Sequence, residues 1–321
     1  MHPRPAAGAA LALLSAVTFA TSGTFARSLI DAGWSAEAAV ICRVGIAALV
    51  LAIPAVLSLR GRWHVLRSNM TAVGLFGLLG VAVAQVCFFN AVRYLPVGVA
   101  LLLEYLGIIL VVVWMWLRHG QRPRQLTVAG SMAALCGLAF VLDLTGTTSF
   151  HPVGVLWGLG AAFGLAGYFV LAGRVDPRLP SVAMASGGMA VGAVVLLLVG
   201  LTGLLPLRAT FGEVTFAGQR TSWLLPIAGL SLVAAVVAYL AGIAGTRILG
   251  ARLSSFVGLT EVLFAVLIAW LFLNELPTAW QLFGGVLIIA GVALVRLDEL
   301  RGTPSTPASV APEPALAVNA R

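Results

Sequence analysis

The sequence predicts an all-α membrane protein, with ten transmembrane helices arranged as two inverted five-helix repeats. Three observations predict it. The 321 residues are 60% hydrophobic and 9% charged, with a mean hydropathy of +1.05, a composition suited to lipid rather than water. The apolar residues fall in runs long enough to cross a hydrocarbon core about 30 Å thick, which takes about 20 helical residues. Finally, the stretch from Arg93 to Val141 occurs twice. A displacement of 154 residues pairs Arg93 with Arg247, Gly120-Gln121-Arg122-Pro123 with Asn274-Glu275-Leu276-Pro277, Gly130 with Gly284 and Gly137 with Gly291. A repeated unit of this length dictates the architecture.

The runs lie at about 8–28, 36–59, 69–91, 96–117, 124–143, 153–173, 181–203, 223–245, 251–273 and 278–296. Helix is the state they require, because a lipid-exposed backbone must satisfy its own hydrogen bonds and the alternation of a barrel strand is absent. The first run, preceded by Arg4, has features of a signal peptide, but removing it would break the five-plus-five arrangement. Its counterpart in the second copy begins at Val153. The repeats are therefore expected at 1–143 and 144–297, with 298–321 as a Pro/Ala/Ser-rich, disordered cytoplasmic tail.

The net charge of +8 comes from 19 basic residues, all arginine. They sit in the short gaps between runs rather than on one soluble face, which excludes a nucleic-acid surface and marks them as topology determinants. Gaps after the even-numbered runs carry Arg60, Arg62, Arg67, Arg118, Arg122, Arg124, Arg174, Arg178, Arg247, Arg252, Arg296 and Arg301; the alternate gaps carry Arg27, Arg93, Arg208 and Arg220. Both termini are expected in the cytoplasm. With five helices per copy the second repeat enters the membrane in the opposite sense, and such repeats usually build the two halves of a transporter with a site near the midplane.

Ionisable groups at membrane depth are functional candidates by default. Glu104 lies about eight residues into the fourth run and Glu261 about ten into the ninth, roughly 12 and 15 Å deep from opposite faces. Arg43, about seven residues into the second run, reaches the level of Glu104; it either pairs with that carboxylate or snorkels outward on its long stem. Gln85, Asn90, Tyr105, Tyr168, Tyr239 and Thr260 can add hydrogen bonds, to neighbouring helices or to substrate. Trp34, Trp63, Trp116, Trp223 and Trp280 fall near run ends as expected of interfacial anchors. Cys42, Cys87 and Cys136 are scattered through separate runs, without disulfide or metal-ligand spacing. No phosphate loop, His-Glu-x-x-His or Gly-x-Ser-x-Gly motif occurs, so no metal, cofactor or catalytic residue is expected.

Several stretches together resemble the EamA family of the drug/metabolite transporter superfamily. Ala39-Val40-Ile41-Cys42-Arg43 is similar to the family's opening of the second helix. Leu259-Thr260-Glu261-Val262 and Leu273-Asn274-Glu275 resemble its Leu-x-Glu-Pro-Val and Leu-Gly-Glu motifs, with Val262 and Asn274 as departures. Leu95-Pro96-Val97-Gly98-Val99-Ala100-Leu101-Leu102-Leu103-Glu104-Tyr105 resembles the fourth helix of the threonine/homoserine exporter branch. The resemblance implies a central cavity between the halves, and alternating access that moves small polar metabolites.

The expected function is secondary transport or export of amino acids or related compounds across the cytoplasmic membrane. Arg43, Gln85, Glu104, Tyr105, Tyr168, Tyr239, Thr260 and Glu261 would line the site, the lipid bilayer would be the surroundings, protons are the candidate coupling ion and a homodimer the candidate assembly. Rival readings are a membrane receptor or structural subunit, and an intramembrane lipid-modifying enzyme; the short gaps and missing catalytic motifs speak against both.

Overall fold

The computed structural model describes residues 5–120, 124–141, 151–172, 176, 178–203, 205–258 and 260–302. The chain runs through α1 (Pro5–Asp31), α2 (Ala36–Ser58), α3 (Trp63–Ser68), α4 (Met70–Leu75), a π-helical segment Phe76–Val83, α5 (Ala84–Tyr94), α6 (Val97–Tyr105), α7 (Gly107–His119) and α8 (Gln125–Val141). It continues with α9 (Pro152–Ala172), α10 (Ser181–Leu201), a hairpin of β1 (Glu213–Phe216) and β2 (Gln219–Ser222), α11 (Leu224–Ala228), a second π-helical segment Gly229–Val237, α12 (Ala238–Gly258), α13 (Thr260–Leu273) and α14 (Ala279–Gly302). Among the described residues, six stretches are long and apolar enough to cross a membrane: Ala6–Asp31, Ala36–Ser58, Met70–Tyr94, Val97–Arg118, Ser181–Leu201 and Leu224–Gly245. Gln125–Phe140, Pro152–Tyr168, Thr260–Leu273 and Ala279–Val295 are shorter apolar helices.

The packing follows the duplication. α1 lies on α12 and the second π-segment, as α9 lies on α5 and the first. α2 packs on the second π-segment and α10 on the first, while α2 meets α10 and α8 meets α14 along the pseudo-twofold. Glycine permits that last contact. A methyl on Gly130 would fall 2.5 Å from the Gly291 carbonyl oxygen, and one on Gly137 2.5 Å from that of Gly284. Since Gly130 corresponds to Gly284 and Gly137 to Gly291, these are the same contact seen from each repeat.

The structure departs from the expected helices at several points. The third and eighth runs are not uniform α-helices: each contains a π-segment, and the two are aligned by the 154-residue displacement. A widened i→i+5 turn often marks a functional site. The fourth run breaks at Leu106, between α6 and α7. In the second copy the expected gap at 246–250 is helical, α12 running unbroken to Gly258. The reason lies in the aligned pair Pro96 and Gly250: proline lacks the N–H that continues a helix, and glycine has it.

The 204–222 gap holds the β-hairpin, closed by Ala217 and Gly218 with φ of 54° and 72°, the positive angles of the tight turn that suits strand twist. Phe216 stacks between Phe25 (5.1 Å) and Phe272 (5.5 Å). Trp34 is 3% exposed. It donates its indole N–H to the Thr210 carbonyl (2.8 Å) and meets Phe211 and Trp223, so it packs under the hairpin segment rather than anchoring in lipid headgroups. Trp63, Trp116 and Trp280 are exposed at run ends, as expected.

At the other end of the sequence, α14 continues to Gly302, so 298–302 are helical; the rest of the expected tail lies outside the described residues, as do Arg122, Arg174 and 142–150. Asp298 is buried there for a reason. Its Oδ2 accepts the Thr127 hydroxyl (2.6 Å) and backbone N–H (3.2 Å) at the start of α8, satisfying an amide that the first turn of a helix leaves free. Asp298→Ala should lower stability by about 1–3 kcal/mol, the cost of stranding buried donors, read as a lower denaturation midpoint in detergent.

Candidate functional site

Arg43 projects from α2 and is 3% exposed. Neither alternative holds: it does not snorkel to the lipid surface, and no direct ion pair with Glu104 is formed. Its guanidinium donates from Nη1 to Gln85 Oε1 on α5 and from Nη2 to the Ala234 carbonyl in the second π-segment, 3.0 Å away. It also lies 5.7 Å from the Phe89 ring centroid. Its hydrogen-bond partners are neutral, so among the described residues no carboxylate touches the cation directly. That charge is within electrostatic reach of Glu104, Glu261 and Tyr239.

The two carboxylates are brought inward by helix ends. Glu104 is the penultimate residue of the short α6, one before Tyr105 and two before the break. Glu261 sits in the first turn of α13, where the helix dipole favours a negative charge. The Tyr105 hydroxyl joins these ends, lying 3.2 Å from both Glu261 Oε2 and the Gly258 carbonyl oxygen. Glu104 and Glu261 also feel each other's charge. Arg43, held by α2 against the second π-segment, thus lies within electrostatic reach of two carboxylates at the facing ends of α6 and α13.

The remaining candidates divide. Tyr239, in the first turn of α12, sets its ring edge-on to Phe19 (5.1 Å) and interacts electrostatically with Tyr168 as well as with Arg43. Tyr168 packs on Phe76 of the first π-segment, 5.1 Å between rings. Thr260 donates its hydroxyl to the Val257 carbonyl (2.6 Å). Its proton is thus committed to the preceding turn.

Two features have no clear signal in the sequence. Glu37, which falls at the edge of a gap between runs, is 4% exposed and accepts a hydrogen bond from Asn90 Nδ2 (3.0 Å). With Arg43 and Gln85 this makes a second polar rung between α2 and α5. The other is the Ala234 carbonyl, a backbone acceptor with no side-chain signature.

The profile of the EamA-like transporter family matches residues 6–143 and 152–297 of this chain. The "Uncharacterized transporter YdfC" of Bacillus subtilis (strain 168) is 28% identical over 232 residues, spanning 71% of this chain and 72% of that protein. A solved structure described only as "Crystal structure of protein" superposes with a TM-score of 0.62 at 20% identity, covering 92% of this chain and 98% of the other. At that identity the likeness speaks for the fold alone.

Proposed function

This chain belongs to the EamA-like transporter family, and from that premise we propose that it exports amino acids or closely related zwitterions across the cell membrane by alternating access. It is a multi-pass membrane protein. In this reading ten spans form inverted repeats at 1–143 and 144–297, with both termini cytoplasmic, and the site is the cluster of Arg43, Gln85, Glu104, Tyr105, Tyr239 and Glu261. Tyr168 borders it through Tyr239, and Thr260 contributes at most an acceptor.

The observation that carries the proposal is an Arg43 whose hydrogen-bond partners are neutral, within electrostatic reach of two carboxylates. A substrate carboxylate would take the guanidinium, a charge-assisted and bidentate interaction. Its ammonium would take Glu104 or Glu261. Either glutamate can instead accept a proton once the substrate leaves, which makes exchange of substrate against protons the natural coupling. The Tyr105 hydroxyl, shared by Glu261 and the Gly258 carbonyl, connects that exchange to the ends of α12 and α13.

The test is counterflow in proteoliposomes with a panel of labelled amino acids and neutral metabolites, comparing wild type with Glu104→Gln at several pH values. Zwitterions should exchange and the substitution should reduce exchange at least about tenfold, the worth of one charged hydrogen bond, while flattening its pH dependence. Undiminished exchange by Glu104→Gln would remove that carboxylate from the site. Exchange restricted to uncharged metabolites would overturn the zwitterion reading.

A further inference from the structure

At the end of α13 the chain leaves the helix through Asn274, whose φ of 56° is left-handed. Gly120, its partner in the first repeat, has the same conformation with φ of 64°. Asparagine is the side chain that best tolerates this region, so the departure from the family's glycine preserves the backbone path. That path delivers Glu275. Its Oε2 accepts the Val97 backbone N–H (2.9 Å) at the first residue of α6, and its Oε1 lies 4.0 Å from Arg27 Nη1. Arg27, near the end of α1, donates to the Val92 carbonyl near the end of α5 and pairs with Asp31.

One carboxylate of the second repeat therefore joins the start of α6 to α1, while Arg27 adds the end of α5. α6 and α13 are already tied at their other ends through Tyr105 and Glu261. They are held at both ends.

The inverted copy cannot build the same contact. The residue aligned with Glu275 is Gln121, and the residue aligned with Val97 is Ala251. In the structure Ala251 lies within the continuous α12, where its amide belongs to the helix. Val97 has a free first-turn amide only because Pro96 interrupts the chain before it. The two ends of the transport path are thus built differently.

We infer that Glu275 is a gate residue, a latch that holds the α6 and α13 ends together on the side the arginine distribution assigns to the exterior, and that opening to that side requires its release from Val97 and Arg27. The inference rests on the transporter reading but is independent of the substrate. It concerns a group outside the membrane-spanning segments, and its protonation has a definite sign. Burial raises the Glu275 carboxyl above the usual carboxylate range, against the Val97 amide and Arg27, which lower it; Asp31 adds to the rise. The latched state then binds the proton more tightly than an opened state in which Glu275 is solvated. Acidification through this range favours the latch, and alkaline conditions favour release. A neutral side chain that keeps the acceptor should hold it shut.

The experiment places spin labels at Arg93→Cys, near the end of α5, and at Thr278→Cys, between Glu275 and α14, both exposed, in a chain whose Cys42, Cys87 and Cys136 are replaced by alanine. Distance distributions are recorded in lipid nanodiscs by pulsed electron resonance. Glu275→Ala should add a longer-distance component, raising the open-to-closed ratio on the order of tenfold. Glu275→Gln should retain the short distance, and Arg27→Ala should show a smaller shift than Glu275→Ala. An unchanged distribution in a monodisperse Glu275→Ala protein overturns the latch; if that variant aggregates, an unchanged distribution in Arg27→Ala overturns it instead. Counterflow on the same samples separates the latch from the substrate assignment. Altered distances without exchange of any panel substrate sink the substrate assignment, whereas exchange with unaltered distances sinks the latch.

Discussion

Arg43→Ala is expected to lower counterflow by about ten- to a hundredfold and to destabilise the protein as well. The first effect follows if a substrate carboxylate binds the guanidinium, since a charged hydrogen bond contributes about 1.5–3 kcal/mol. The second follows from the structure without any substrate. Truncation strands Gln85 Oε1 and the Ala234 carbonyl in a buried site, at about 1–3 kcal/mol for each unsatisfied group. Arg43→Lys separates the two. Lysine keeps the charge but has no planar fork to span Gln85 and Ala234, so it should recover part of the substrate affinity while leaving the second π-segment loosely held. Transport and thermal stability measured on both variants discriminate: if Arg43→Ala alters stability alone, the guanidinium is structural and the proposed site loses its cation.

Gly291→Leu should cost more than about 3 kcal/mol, beyond the usual range for an overpacked site, and prevent recovery of monodisperse protein. A Cβ at Gly291 would overlap the Gly130 carbonyl oxygen and come within 2.7 Å of the Ala134 backbone nitrogen. These are backbone atoms of α8, which cannot rotate aside as a side chain can. Gly130→Leu should behave alike, since a Cβ there would meet the Gly291 carbonyl. Gly74→Ala is the control, with nothing within 4 Å of an added methyl. Size-exclusion profiles and thermal melts of the three variants would show it; a well-behaved Gly291→Leu protein would mean that the α8–α14 seam does not hold the repeats together.

Much of this architecture is legible in the sequence because it rests on composition and period. The apolar runs lie close to the helices, and the displacement that pairs Gly130 with Gly284 recovers a packing contact as well as a repeat. Arg43, Glu104 and Glu261 stand out because charge at membrane depth is costly, and the structure brings all three into mutual electrostatic reach. Their partners are less accessible. Nothing in Gly229–Val237 distinguishes a π-turn from an α-turn, since the wider winding depends on what α1 and α2 press against it. The break at Leu106 has no proline to announce it. Trp34 is not the anchor its place near a run end suggests, because position along a run says nothing of the hairpin segment that folds back over it. Glu275 stands in the sequence as part of a motif, and only the fold shows that its acceptor role falls on an amide 178 residues away.

The glycine seam between α8 and α14 also bears on how such a chain could arise. Each side of it is the same surface, so it is isologous, like the interface of a two-fold dimer. Under the inverted five-helix reading proposed above, a single-repeat ancestor carrying that surface would have been self-complementary only with its mate inserted upside down. It would have needed to enter the bilayer in both directions, with little arginine bias to choose between them. Fusion removes that requirement. Once the halves share a chain, each can settle into one orientation, and Gln121 and Glu275 are free to diverge because they no longer belong to one gene position serving both faces.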